Sequence, residues 1–227
     1  MSRDFIRRHH RACRHRLACP DPKLRELEPL QGQARPTRMF IRVAALVLAG
    51  SAAFAQTFFP PGAFPAASEQ YCARFLQTLH EPSLFELASR DPSAEAYRLL
   101  WLRDDDRPAS VRFAIKPGGT GWFYRRMTGG TGATEPTGLR EAGTSWSWKS
   151  RTASFLKTVD DAGFWNVPEI ASDAHGVCRS HWILEGVRRG EYRVIDRCSP
   201  HENDPVRVIG MRAMRLGNLR VHGRRIY

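Results

Sequence analysis

Long apolar runs are missing from this chain of 227 residues. Residues 43–55 form a charge-free apolar stretch of 13 residues, short of the ~18–20 that a membrane span needs. A multi-span membrane protein is excluded, and a retained anchor is disfavoured. Acidic side chains are scarce as well: 23 Asp and Glu stand against 35 Lys and Arg, for a net charge of +12. Such a balance fits a nucleic-acid binder. However, seven of the twelve net charges fall in residues 1–55, so nucleic acid is not the expected partner of the rest. The Gly-Gly-Thr-Gly runs at Gly118 and Gly129 lack the Lys-Ser or Lys-Thr that opens a helix in a phosphate cradle, and read as hairpin turns. Asp104-Asp105-Asp106 lacks the further ligands and glycine spacing of a calcium hand, and reads as a solvated turn. Ser199, His201 and Asp204 share one loop with no strand-to-helix elbow, so they do not spell a triad. His181 and Glu185, four apart on a strand, are too far from each other for one proton relay, at ~13 Å. No cofactor, metal or catalytic residue is expected.

What is present is an export signal. Met39 and Arg42 open a short positive region, Val43 to Gly50 follow as an apolar segment, and Ala53-Phe54-Ala55 supplies a small-residue cleavage site. This three-part pattern predicts cleavage after Ala55 and a periplasmic or secreted chain starting at Gln56. Residues 1–38 hold a cluster of His9, His10, Cys13, His15 and Cys19. It has no sizeable loop between ligand pairs, as a zinc site would. Two readings of this segment stand: a basic disordered extension, or sequence upstream of a true start at Met39.

Beyond residue 55 the expected order is a Pro-rich tether (56–67), a single α+β domain (68–220) and a basic tail (221–227). Ser68 caps a helix over 69–79, with Tyr71, Cys72, Phe75, Leu76 and Leu79 at helical spacing. A short second helix begins with Pro82 in its first turn and reaches residue 89. Strands follow at 96–103, 110–116 and 122–127. A loop over 128–143 leads to a fourth strand bearing Trp146 and Trp148. Alternation places Tyr97, Leu99 and Trp101 on one face, and Val111, Phe113 and Ile115 opposite Arg112 and Ala114. A helix over 152–162 stops at Gly163. Two more strands, 181–187 and 191–198, join through Arg188-Arg189-Gly190, and a last helix ends at Leu216. Turns this short exclude parallel crossovers. The predicted architecture is an antiparallel sheet of about six strands with helices packed on one face.

One surface stands out. Trp122, Tyr124, Trp146 and Trp148 lie on neighbouring strands with Arg125, Arg126 and Lys149 among them. Aromatics interleaved with cations can stack on planar or ring ligands, and export leaves glycans as the class. The plainer reading is a half-buried sheet packed on its helices. The candidate ligand-binding residues are Trp122, Tyr124, Arg126, Trp146 and Trp148.

Phe164-Trp165 with Pro168, the Asp173/Gly176 loop, Trp182 with Glu185-Gly186, Gly190 with Tyr192, and Asp196-Arg197 before Ser199-Pro200 form a pattern. It resembles a segment recurring in uncharacterised secreted proteins of proteobacteria, as does the strand at 96–103. The likeness covers about residues 96–200. It implies an exported single domain and carries no known activity. The expected function is a non-catalytic binding domain of the cell envelope, its partner an envelope component or a glycan. The alternative is a glycan- or cell-wall-modifying protein using the aromatic face.

Three cysteines lie beyond residue 55: Cys72, Cys178 and Cys198. An oxidising compartment permits a disulfide, and an odd count leaves one thiol over. If a three-residue turn pairs Val187 with Glu191, then Cys178 and Cys198 share a face with Trp182, Leu184, Tyr192 and Val194. They are then offset by a diagonal of ~7–8 Å. That is slightly beyond the ~4.4–6.8 Å between Cα atoms that a disulfide accepts, but Cys178 lies before the strand, next to Gly176, where a small loop shift closes the gap, so a Cys178–Cys198 bridge is predicted with Cys72 free and buried. Bridges through Cys72, or three reduced thiols, are the alternatives. Relative to the resembled segment, Cys178 and Cys198 are a local addition.

Overall fold

The computed structural model describes residues 56–104, 106–130, 135–167 and 178–220. The expected basic extension (1–38), signal peptide (39–55) and basic tail (221–227), and also Pro168 and the Asp173/Gly176 loop, lie outside the described residues. Among the described residues the strands are β1 (Glu95–Arg103), β2 (Ala109–Ile115), β3 (Gly121–Thr128), β4 (Leu139–Ser147), β5 (Ser180–Arg188) and β6 (Glu191–Cys198). The helices are α1 (Ala66–Thr78), α2 (Leu84–Arg90), α3 (Lys149–Asp161) and α4 (Pro205–Leu216), with one turn of 3-10 helix at Phe164–Asn166. All strand pairs are antiparallel in the order β4-β3-β2-β1-β5-β6. The α+β class and the six-stranded antiparallel sheet are as the sequence predicts.

The helices, however, cover both faces of the sheet. Tyr97, Leu99 and Trp101 of β1 pack with Phe155 and Val159 of α3 and with Val206, Ile209 and Met214 of α4. The alternate residues Leu100 and Leu102 pack with Phe75, Leu76 and Leu79 of α1, and Ala96 packs with Leu84 and Ala88 of α2. The reason is already present in β1. It is buried from Ala96 to Arg103 without a break, and a strand apolar on both sides needs two covers. Residues 139–143, expected as loop, extend β4. Trp148 is not in that strand but is the N-cap of α3.

The segment before α1 is not a tether. Phe58, Phe59 and Phe64 are buried at 2%, 0% and 8% exposure and join the α1 side of the core. Burying each ring contributes about 1.5–3 kcal/mol, which outweighs the freedom that its prolines and glycine suggest. Thr57 fixes the path: its N–H donates to Glu86 at 2.9 Å, and its carbonyl accepts from the Ser83 hydroxyl. Ser83 also caps α2 by accepting from the Glu86 N–H at 3.0 Å, so Pro82 stands before the cap, not in the first turn.

The β5–β6 hairpin has a two-residue turn. Arg189 and Gly190 both have positive φ, 55° and 78°, the requirement of the turn whose twist matches a hairpin. Arg188 therefore pairs with Glu191, and His181 with Cys198. This shifts the expected register by one residue. Trp182 and Leu184 share the α3/α4 face with Ile195, while Tyr192 and Val194 lie on the other, beside Ile183. The Cys178–Cys198 disulfide forms nevertheless, with Cα atoms 5.4 Å apart, and Cys72 is free and buried. Cys178 precedes β5, so its backbone is not bound by the strand's alternation and can reach the end of β6.

Candidate functional site

Alternation along β3 divides its side chains. Phe123 points into the α3/α4 core and is fully buried. Trp122, Tyr124 and Arg126 point the other way, and each is half-buried. The apolar cluster beneath α1 draws its strand residues from β1, β5 and β6 only. On β2, β3 and β4 this face is therefore left partly open. Trp122 is directly opposite Trp146, and Tyr124 opposite Thr144. The Trp122 and Trp146 rings lie 4.8 Å apart, and Trp146 and Trp148 6.0 Å apart at 87°. Trp148 is 70% exposed. Three of the predicted aromatics, Trp122, Trp146 and Trp148, thus come together in one row, with Trp148 delivered by the helix cap, while Tyr124 lies two residues along the same face of β3.

Cations frame the rings. The Arg112 guanidinium stacks over Tyr124 at 4.1 Å, and Lys116 Nζ lies 5.5 Å from the Trp146 ring centre. Arg126 donates to the carbonyls of Leu79 and His80. Neither Arg112 nor Lys116 is among the candidates from sequence. The alternation in β2 puts Arg112 opposite the core face, but only the β2–β3 pairing, with Arg112 opposite Tyr124, brings it to the cluster.

Glu81 is the second residue that the sequence hides. The end of α1 closes with two bonds, His80 N–H to the Gln77 carbonyl and Glu81 N–H to the Leu76 carbonyl, both at 2.9 Å. His80 takes a left-handed φ of 52° to do so. This helix stop turns Glu81 inward, where it is 2% exposed. Its carboxylate accepts from Arg112 Nε and from the Ser110 hydroxyl, each at 2.8 Å, and Arg126 Nε lies 3.7 Å away. One buried anion thus orients the two guanidiniums of the aromatic face.

Further in, Arg98 donates to both oxygens of Glu185 and to the Pro82 carbonyl, and the Tyr192 hydroxyl donates to Glu185 at 2.9 Å. Burial pushes the Glu185 carboxyl up, and the Arg98 charge pulls it back. Burial also pushes the Tyr192 phenol well above its ordinary value. Arg98 and Glu185 are fully buried and hydrogen-bonded to each other, with Tyr192 partly buried beside them, so the cluster ties β1, β5 and β6 together.

The remaining motifs have structural uses. Asp106 pairs with Arg103 and accepts from the Arg107 N–H. Ser199 accepts from the Arg179 N–H, and Asp204 caps α4 by accepting from the Val206 N–H at 2.7 Å. Gly118 and Gly119 form the β2–β3 turn, closed by Gly119 N–H donating to the Lys116 carbonyl. Among the described residues no helix is long and apolar enough to cross a membrane. No family model matches the chain, and no curated protein matches it.

Proposed function

We propose that the chain is an exported, non-catalytic binding domain of the cell envelope, and that its ligand is a glycan held on the open face of β2, β3 and β4. The observation that carries this reading is the continuous row Trp122, Trp146 and Trp148, half-buried at one end and 70% exposed at the other. The C–H face of a sugar ring is apolar and weakly positive. It complements the negative face of an indole. Partly exposed indoles fixed against one another, ending in the exposed Trp148, offer that contact with little ordering cost. Arg112, Arg126 and Lys116 supply donors for hydroxyl or carboxylate groups at the edge of the row. Export rests on the signal pattern of residues 39–55, and a disulfide is compatible with an oxidising compartment.

The experiment is a binding titration of the full chain against a panel of purified cell-wall and capsular polysaccharides, read by tryptophan fluorescence. A binding member should quench emission, and Trp148→Ala should weaken it at least ~5-fold, given about 1–3 kcal/mol for an aromatic stacking contact. A panel on which wild type and Trp148→Ala behave alike overturns the assignment of this face.

A further inference from the structure

The disulfide has an imidazole against one of its sulfurs. Cys178 Sγ lies 3.4 Å from His181 Nε2, and His181 Nδ1 lies 3.4 Å from Asp196 Oδ1. Cys178 precedes β5, His181 belongs to β5 and sits directly opposite Cys198, and Asp196 is two residues back along β6. The order carboxylate, imidazole, sulfur is the arrangement in which an imidazolium stabilises a thiolate. Solvent reaches it, since the His181 side chain is 46% exposed and both cysteines are partly exposed. Cys72 is different. It is buried on the inner face of α1, and burial pushes its thiol up to about 12.

We propose that Cys178–Cys198 is a redox-active disulfide, opened by a dithiol of the surrounding compartment, with His181 as the charged partner of the departing Cys178 thiolate and Asp196 as the residue that positions His181. In the first step a thiolate of the dithiol attacks Cys198 Sγ. A new S–S bond forms there, the Cys178–Cys198 bond breaks, and its electron pair leaves on Cys178 beside the His181 imidazolium. In the second step the other thiol of the dithiol, its proton given to solvent, attacks the dithiol's own sulfur in the mixed disulfide. A cyclic disulfide departs, and Cys198 is released as a thiolate that takes a proton from solvent. Two electrons have passed from dithiol to protein. The dithiol has lost two protons to solvent; Cys198 takes one back, Cys178 remains a thiolate paired with the imidazolium that His181 already carried, and the second proton stays in solvent.

Attack at Cys198 is preferred because the better-stabilised thiolate is the better leaving group. The charges that face His181 favour its protonated form from two sides. Asp196 on β6 holds the imidazole above its ordinary value, and Asp104 at the end of β1 adds to this against the opposing effect of burial. The β5–β6 ladder runs unbroken from His181–Cys198 to Arg188–Glu191, so opening the bond frees the mouth of the hairpin without undoing it. The proposal stands apart from the glycan reading and does not need it.

The test uses the full chain in its oxidised form, equilibrated in buffers of reduced and oxidised dithiothreitol, with thiols counted by alkylation and mass. His181→Gln should slow reduction about tenfold and lower the equilibrium constant for reduction about tenfold, a shift of about 30 mV for two electrons. Asp196→Asn should do the same in part. In Cys198→Ser protein, the ultraviolet thiolate absorbance of Cys178 should titrate below the ordinary thiol range and return to it in the His181→Gln background, a signal that a purely structural role would not move. Circular dichroism confirms that each variant is folded. Equal reduction rates and equal Cys178 titrations with and without His181 overturn the proposal, as does peptide mapping that finds Cys72 in the bridge or no bridge at all.

Discussion

Arg98 and Glu185 stand directly opposite each other on β1 and β5 and form a two-pronged ion pair, at 2.6 and 2.7 Å, with neither side chain exposed to solvent. The pair joins strands whose residues are 87 positions apart in the chain. It sits under α2, and the carbonyl of Pro82, just before that helix, accepts a further hydrogen bond from Arg98. Replacing one partner leaves a buried charge uncompensated. Arg98→Met should therefore lower stability by about 3–5 kcal/mol in a urea titration. The double variant Arg98→Met/Glu185→Leu should recover a large part of that loss, because both desolvation costs vanish together. A single variant within 1 kcal/mol of wild type, on the scale of an exposed pair, would show that the cluster is hydrated.

The left-handed turn at His80 costs conformational energy that a glycine avoids. His80→Gly should stabilise the chain by about 0.5 kcal/mol, the relief of a non-glycine in this region less the extra freedom of glycine when unfolded. Thermal melting measures it, and a lower melting temperature would count against the helix stop that aims Glu81 inward.

Gly186 has no room for a side chain. A methyl group there would meet Phe164 Cε1 at 2.5 Å and Tyr97 Cδ1 at 3.1 Å, both in the α3/α4 core. Gly186→Ala should cost about 1–3 kcal/mol by overpacking. Denaturant titration checks this, and a neutral substitution would mean that the 3-10 turn bearing Phe164 can shift.

The His181–Asp196 contact sets a pH dependence. The Asp196 hydrogen bond raises the His181 pKa in the folded chain, against the opposing effect of burial. A folded value above the unfolded ~6.5 means that the contribution is complete below that unfolded value. It is lost as pH rises through the folded one. The stability difference between wild type and Asp196→Asn should be largest in mildly acidic buffer and shrink toward alkaline pH. The imidazole is 46% exposed, so the difference is small, and a flat difference across this range would remove the contact.

The aromatic cluster was legible in part. Period-two alternation puts Trp122, Tyr124 and Arg126 on one face of a strand, and the chain order puts Trp146 on the next. Arg112, Lys116 and Glu81 were not legible as members of the cluster. Arg112 joins it through the β2–β3 register, and Glu81 through a left-handed residue that is not glycine. A lone acid before a proline gives no hint that it will be buried beneath two arginines. The turn at Arg189-Gly190 is hidden for a related reason: an arginine with positive φ is uncommon, so the sequence favours a three-residue turn, whereas the two-residue turn of the structure reverses the faces of Tyr192 and Val194.

Local chemistry by itself determined the elements. Apolar spacing, N-caps and glycine stops act within a few residues, and they placed the helices, the antiparallel class and the strands apart from the first half of β4. Tertiary structure alone decided that β1 lies at the centre, joined to β5 across the whole middle of the chain, and that Phe58 and Phe59 belong to the core. It also decided that helices cover two faces, and that Cys178 meets His181 as well as Cys198. These are long-range pairings, and nothing in the local sequence specifies a partner strand. What selects them is the simultaneous burial of two apolar faces and the pairing of Arg98 with Glu185, which only the assembled sheet can satisfy.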